Sequence, residues 1–151
     1  MKRSGLWAIG IGALVSAGPL TVEQAHSWDQ GGPTSCSNAT LRGLYLSATS
    51  GYQSTTPSLV PIAVTGKDIF YGNGHFDSLV TISIGGNIIR NVAAPGSYTV
   101  NSDCTATAII HMTSAPDVHE DWVVAPDGDE IFAIETDSGT TFSGTIRRVG
   151  R

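Results

Sequence analysis

From Leu41 to Arg148 the chain breaks into short runs rich in β-branched, aromatic and small residues, separated at regular intervals by turn punctuation. Gly72-Asn73-Gly74, Gly85-Gly86-Asn87, Asn101-Ser102-Asp103, Pro126-Asp127-Gly128 and Asp137-Ser138-Gly139 supply residues that tolerate positive φ at hairpin corners. This spacing predicts strands near 41–49, 59–71, 74–84, 87–92, 96–101, 104–112, 120–125, 129–136 and 140–148. The 87–92 and 96–101 pieces read equally as one strand bent around Pro95. No segment after residue 27 carries a 3.6-residue apolar stripe of helical length. The expected fold is all-β, an antiparallel up-and-down β-barrel of about eight strands, because successive hairpins that close on themselves leave no exposed edge. A two-layer β-sandwich is the alternative compatible with the same pattern.

Period-2 alternation separates two faces. In 104–112, Cys104, Ala106, Ala108, Ile110 and Met112 share one side, and Thr105, Thr107, Ile109 and His111 the other. In 141–146, Phe142, Gly144 and Ile146 oppose the uniformly polar Thr141, Ser143 and Thr145. One face packs and the other meets water.

The beginning of the chain has a different character. Lys2 and Arg3 precede an apolar stretch from Gly5 to Ala17, and small residues follow at Ala25-His26-Ser27. This is the layout of a secretory signal peptide spanning 1–27, with Trp28 as the expected mature start. The apolar run is shorter than the roughly 20 residues of a spanning helix and is interrupted by Gly10 and Gly12, so no membrane span is expected after cleavage. Residues 28–40, rich in Gly, Pro, Ser and Thr, read as an irregular N-terminal arm, and 41–151 as a single barrel domain. The expected location is periplasmic or secreted. Cys36 and Cys104 both fall in the mature chain, and two cysteines in an exported protein imply one disulfide. That bridge closes a loop of about 68 residues. Count and spacing disfavour a redox pair or a four-ligand metal site.

Removal of Lys2, Arg3 and Glu23 with the leader leaves six Lys/Arg against twelve Asp/Glu. That balance excludes nucleic acid and anionic membrane as expected partners, since both require clustered positive charge. Arg147, Arg148 and Arg151 form the sole basic cluster.

Three pieces of sequence carry a resemblance. Gly43-Leu44-Tyr45, the run Gly96-Ser97-Tyr98-Thr99-Val100-Asn101-Ser102-Asp103-Cys104-Thr105, and Ser143-Gly144-Thr145-Ile146-Arg147-Arg148 resemble a group of small exported bacterial β proteins of unassigned function. The most specific piece is GxYxVxxDCT. More distantly, a Gly-x-aromatic on the first strand with an Arg near the end of the last resembles the calycin arrangement of lipocalin-like barrels. That resemblance implies an aromatic ring closing the barrel floor under an arginine, matched by Tyr45 with Arg147 or Arg148; lipocalins carry Trp where this chain has Tyr. In size and strand count the chain is also similar to allene oxide cyclase-type barrels, which include cyclising enzymes, but no catalytic residue of theirs can be matched here.

Candidate sites follow from residue chemistry. His111 with His119-Glu120-Asp121 offers imidazole and carboxylate, yet neighbours on a strand point to opposite faces, so no metal site is expected. Asp127-Gly128-Asp129-Glu130 resembles half of a calcium loop and reads more simply as a turn. Gly-x-Ser-x-Gly is absent and paired carboxylates cannot be traced by spacing, so catalytic residues remain unassigned. Nothing calls for a cofactor. The aromatic set Tyr45, Tyr52, Phe70, Tyr71, Phe76, Tyr98, Trp122, Phe132 and Phe142 is suited to line an interior, and an eight-stranded barrel either fills itself or holds one small ligand. Tyr45, Tyr98, His111 and Trp122 are the expected ligand-binding residues because they sit within predicted strands. The polar 50–58 segment is the expected loop over the open end, anchored by Tyr52. Three functions are compatible: binding a small apolar or aromatic molecule, a cyclase- or isomerase-type enzyme using the same pocket, and a structural or interaction protein with a filled core.

Overall fold

A computed structural model describes residues 35–55 and 58–150. The signal-peptide reading of 1–27 and most of the arm at 28–34 lie outside these residues. Nine strands follow a single turn of 3₁₀ helix at Asn38–Thr40: β1 (Arg42–Thr55), β2 (Ser58–Tyr71), β3 (His75–Ile84), β4 (Asn87–Ala93), β5 (Gly96–Val100), β6 (Thr105–Ile110), β7 (Val118–Val124), β8 (Glu130–Glu135) and β9 (Thr140–Gly150). All pairings are antiparallel, and β1, β2, β3, β5, β6, β7, β8 and β9 close into an eight-stranded barrel through β1–β9 and β2–β3. Closure is favoured because it leaves no unpaired ring edge. No helix among the described residues is long and apolar enough to cross a membrane.

β4 is the ninth strand, and the register explains it. Leu79–Ile84 of β3 pair with β4, whereas His75 and Phe76 of the same strand pair with Ser97 and Gly96 of β5. β4 and β5 therefore occupy one edge of β3, as a strand bent at Ala94-Pro95 would. The proline supplies no N–H to continue the ladder. Past the bend, β5 turns to pair with β6, but β4 does not.

The largest departure from the sequence expectation lies at 50–58. Residues 50–55 continue β1 and pair with 58–63 of β2, so this segment is the extension of a long hairpin, with only 56–57 undescribed. Its polar residues alternate across a ladder, which masks strand character in a composition that reads as loop. Tyr52 projects from it, about half exposed.

One end of the barrel, here called lower, is solid. Tyr45, Phe70, Phe76, Tyr98 and Trp122 are buried and stack, with Phe70 at the centre, 4.8 Å from Tyr45, 5.1 Å from Phe76, 5.4 Å from Tyr98 and 5.9 Å from Trp122. Each buried ring contributes roughly 1.5–3 kcal/mol of transfer free energy. Gly96 lets the Phe76 ring lie against the backbone, where a Cβ would meet it at 2.3 Å. Tyr52, Tyr71 and Phe132 of the aromatic set point outward. Cys36 and Cys104 form the predicted disulfide, which ties the segment before β1 to the β5–β6 turn.

Arg148 closes this end. Its guanidinium lies 5.3 Å from the Tyr45 ring centre, donates to the Tyr45 hydroxyl at 2.8 and 3.0 Å and to the Thr40 carbonyl at 2.9 Å, and pairs with Asp129 at 3.0 Å. The Tyr45 hydroxyl in turn donates to the Gly128 carbonyl at 2.7 Å. Of the two arginines implied by the calycin resemblance, Arg148 takes the position over the aromatic ring; Arg147 faces solvent and pairs with Glu130. Gly128 is required because φ there is +71° and a Cβ would lie 2.3 Å from the Thr40 carbonyl. The Asp127–Glu130 run is thus a turn, with the Asp127 side chain accepting from the Asp129 N–H.

Candidate functional site

The upper half of the same barrel encloses a cavity of about 540 Å³. Its existence follows from residue size: above the aromatic layer most inward positions are held by Val64, Val80, Ile82, Ile110 and small polar side chains, with Phe142 the one further buried ring among the described residues. Met112, Ala115, Pro116 and Asp117, from the loop after β6, border the opening, together with Gln53 of the long hairpin. The loop after β6 therefore takes the position at the mouth expected of residues 50–58.

Two carboxyls sit in the floor. Asp68 lies two residues before Phe70 on β2, and Glu120 two residues before Trp122 on β7, so strand alternation sets each acid on the cavity side of a packed ring. Asp68 is 4% exposed and Glu120 5%. The Trp122 indole N–H donates to Glu120 Oε2 at 2.6 Å. The Ser78 hydroxyl, across the β2–β3 ladder, donates to Asp68 Oδ1. Asp68 Oδ2 is buried with no donor at hydrogen-bond distance, the nearby Ser47 hydroxyl acting on the carboxyl less than Ser78 does.

Burial pushes both carboxyls above their ordinary range. For Asp68 the Ser78 and Ser47 hydroxyls pull partly back; for Glu120 the indole N–H does so, while the nearby Glu135 and Asp68 charges add to the rise. Glu135, also on the cavity wall, is raised mainly by burial. The arrangement sets two buried hydrogen-bonding carboxyls in contact with an apolar wall.

The sequence-predicted residues fall in different places. Trp122 lines the cavity. Tyr45 and Tyr98 lie in the aromatic layer beneath it, their hydroxyls directed to the lower end: that of Tyr98 donates to the Asn38 and Leu41 carbonyls at 3.0 and 3.2 Å. Burial raises both tyrosines, so they remain neutral donors. His111 lies on the outer side of the loop after β6, half exposed, with Nδ1 3.0 Å from Asp117. The alternation of 104–112 already set it opposite Ala106, Ala108 and Ile110. His119 is likewise outside, 2.9 Å from Asp137, and with Glu120 inside and Asp121 outside the three cannot converge. No cluster of three His, Cys, Asp or Glu among the described residues is arranged to hold a metal.

Sequence reasoning did not single out Asp68, and it weighed Glu120 only as a metal ligand beside His119. The usable signal is an acid at an inward position of an alternating strand, Asp68 in phase with Phe70 and Glu120 in phase with Trp122. Comparison with family models, with curated proteins and with solved structures returns no match for this chain.

Proposed function

We propose that this chain is an exported protein that binds a small, mainly apolar molecule in the upper half of its barrel. The observation that carries the reading is the cavity of about 540 Å³, walled by aliphatic side chains and floored by Trp122, Phe76 and two buried carboxyls. Its volume falls within the range of pockets that enclose small ligands, and few convergent polar groups on an apolar wall are what orient one. Export is supported by the leader-like residues 1–27 and by a disulfide compatible with an oxidising compartment.

Native mass spectrometry of the protein purified from its own host tests this reading. A co-purifying mass lost on denaturation is expected. Val64→Phe, which narrows the cavity, should reduce the retained fraction, and Val123→Phe on the outer face should leave it unchanged. A bare mass before and after denaturation rejects the reading.

A second reading, an isomerase or cyclase, is favoured by one observation: two buried carboxyls share a single cavity. One would donate and the other accept a proton while the walls fix substrate shape. In that case Asp68→Asn and Glu120→Gln retain the bound molecule but abolish its conversion, read by comparing the retained species before and after incubation.

A further inference from the structure

Resting on the binding reading above, we propose that the molecule taken by the cavity carries a protonated amine, seated between Asp68 and Glu120 on the aromatic floor.

The charge lining the cavity is one-sided. Asp68, Glu120 and Glu135 border it within the barrel, and Asp117 and Asp137 at its mouth, whereas among the described residues no Lys, Arg or His lines it. Asp117 and Asp137 have imidazole partners outside, His111 and His119, but the three inner acids face no cationic side chain. Low-dielectric walls strengthen such a field, so a cation is drawn in and an anion repelled.

Geometry gives the charge a seat. Asp68 Oδ2 is buried without a partner, although nearly all buried polar atoms have one. An N–H donor on the ligand would complete that carboxyl, which Ser78 already engages through Oδ1. An ammonium offers three such donors. The Trp122 and Phe76 rings, 5.9 Å apart, border the same floor, and aromatic faces attract cations. The aliphatic wall above takes the apolar body. A carboxylate ligand would meet like charge, and an alcohol would satisfy Oδ2 but leave the field unmatched.

A head-group series on one apolar tail separates these cases. Calorimetric titration of the full chain at pH 7 with n-octylamine, 1-octanol and octanoate is expected to give octylammonium an affinity about tenfold or more above octanol, as charge-assisted hydrogen bonds outweigh neutral ones. Octanoate should bind weakest. Asp68→Asn should shrink the preference for octylammonium over octanol several-fold, Glu120 and Glu135 keeping the remainder. If octanol binds as tightly as octylammonium, the cationic requirement is overturned, while binding of an apolar molecule stands. If none of the three binds, both fall. Should Asp68→Asn fail to fold, the series on the unmodified chain decides alone.

Discussion

The two halves of this barrel are built from the same strands, yet one is solid and the other hollow. Below Asp68 and Glu120, rings of Tyr45, Phe70, Phe76, Tyr98 and Trp122 meet across the interior, and the tyrosine hydroxyls are satisfied by backbone carbonyls and Arg148. Above them, Phe142 apart, the inward residues are shorter, and the polar atoms include one without a partner. Ring closure fixes the barrel's width, so side-chain size decides whether its interior fills. Packed rings fill the lower half, and the upper half surrounds open space.

Phe70→Ala should break this contrast most severely. It removes the ring that touches four others, and a cavity in a packed layer costs about 3–5 kcal/mol. Ile82→Ala, beside space that is already open, should cost clearly less. Denaturant unfolding of both variants measures the difference; equal losses would show that the upper wall packs as tightly as the floor.

Arg148→Ala comes next, at about 2–3 kcal/mol, because it leaves the Tyr45 hydroxyl without its donors and the Thr40 carbonyl without its partner at the closed end. The same denaturant titration reads it. A loss no larger than that of an exposed arginine would deny Arg148 its role as a closing residue.

The lower half was the more legible in the sequence, for a physical reason. Strand alternation and turn chemistry act locally, so the hairpins, the bend at Pro95 and the inward phase of Ala106 and Ala108 can be read from short windows. The Cys36–Cys104 pairing follows from there being two cysteines. The hairpin extension at 50–58 was hidden because Ser, Thr and Gly resemble loop composition when no apolar alternation marks a ladder. The cavity was not legible: hollowness depends on how eight inward rows meet, which no window contains. His111 was expected at the ligand because it lies in a predicted strand, although its phase sets it opposite Ala106, Ala108 and Ile110; Glu120 was weighed only as a metal ligand, and Asp68, in phase with Phe70, was not singled out.

Asp68 and Glu120 should give the upper half its own pH dependence. An unfolded carboxyl releases its proton near pH 4. These two, raised by burial, hold theirs to higher pH. Across that interval the folded state binds more protons, so their contribution is full below about pH 4 and is lost as pH rises through the folded values. Asp103 and Asp137 run oppositely, lowered chiefly by hydrogen bonds from the Thr105 side chain and the His119 backbone, and their contribution is lost on acidification. Asp68→Asn and Glu120→Gln should therefore flatten the decline above about pH 4 and raise stability at about pH 7, because a neutral amide carries no cost of ionising inside the fold. Melting curves at stepped pH check this; a wild-type curve without that decline would mean that both acids ionise in the fold as freely as in water.

The smallest effect is expected where the contrast is sharpest in sequence. Arg147 and Arg148 are adjacent, so strand alternation sends them to opposite faces. Arg148 is 10% exposed and engages Tyr45, Thr40 and Asp129; Arg147 is 68% exposed and pairs with Glu130 at 2.7 Å. An exposed pair gains little, because water screens it and ordering two long side chains costs entropy. Arg147→Ala should change stability by under about 0.5 kcal/mol, several times less than Arg148→Ala measured by the same denaturant titration. Equal losses would mean that formal charge near the end of β9, and not the inward position of one guanidinium, holds the lower end closed.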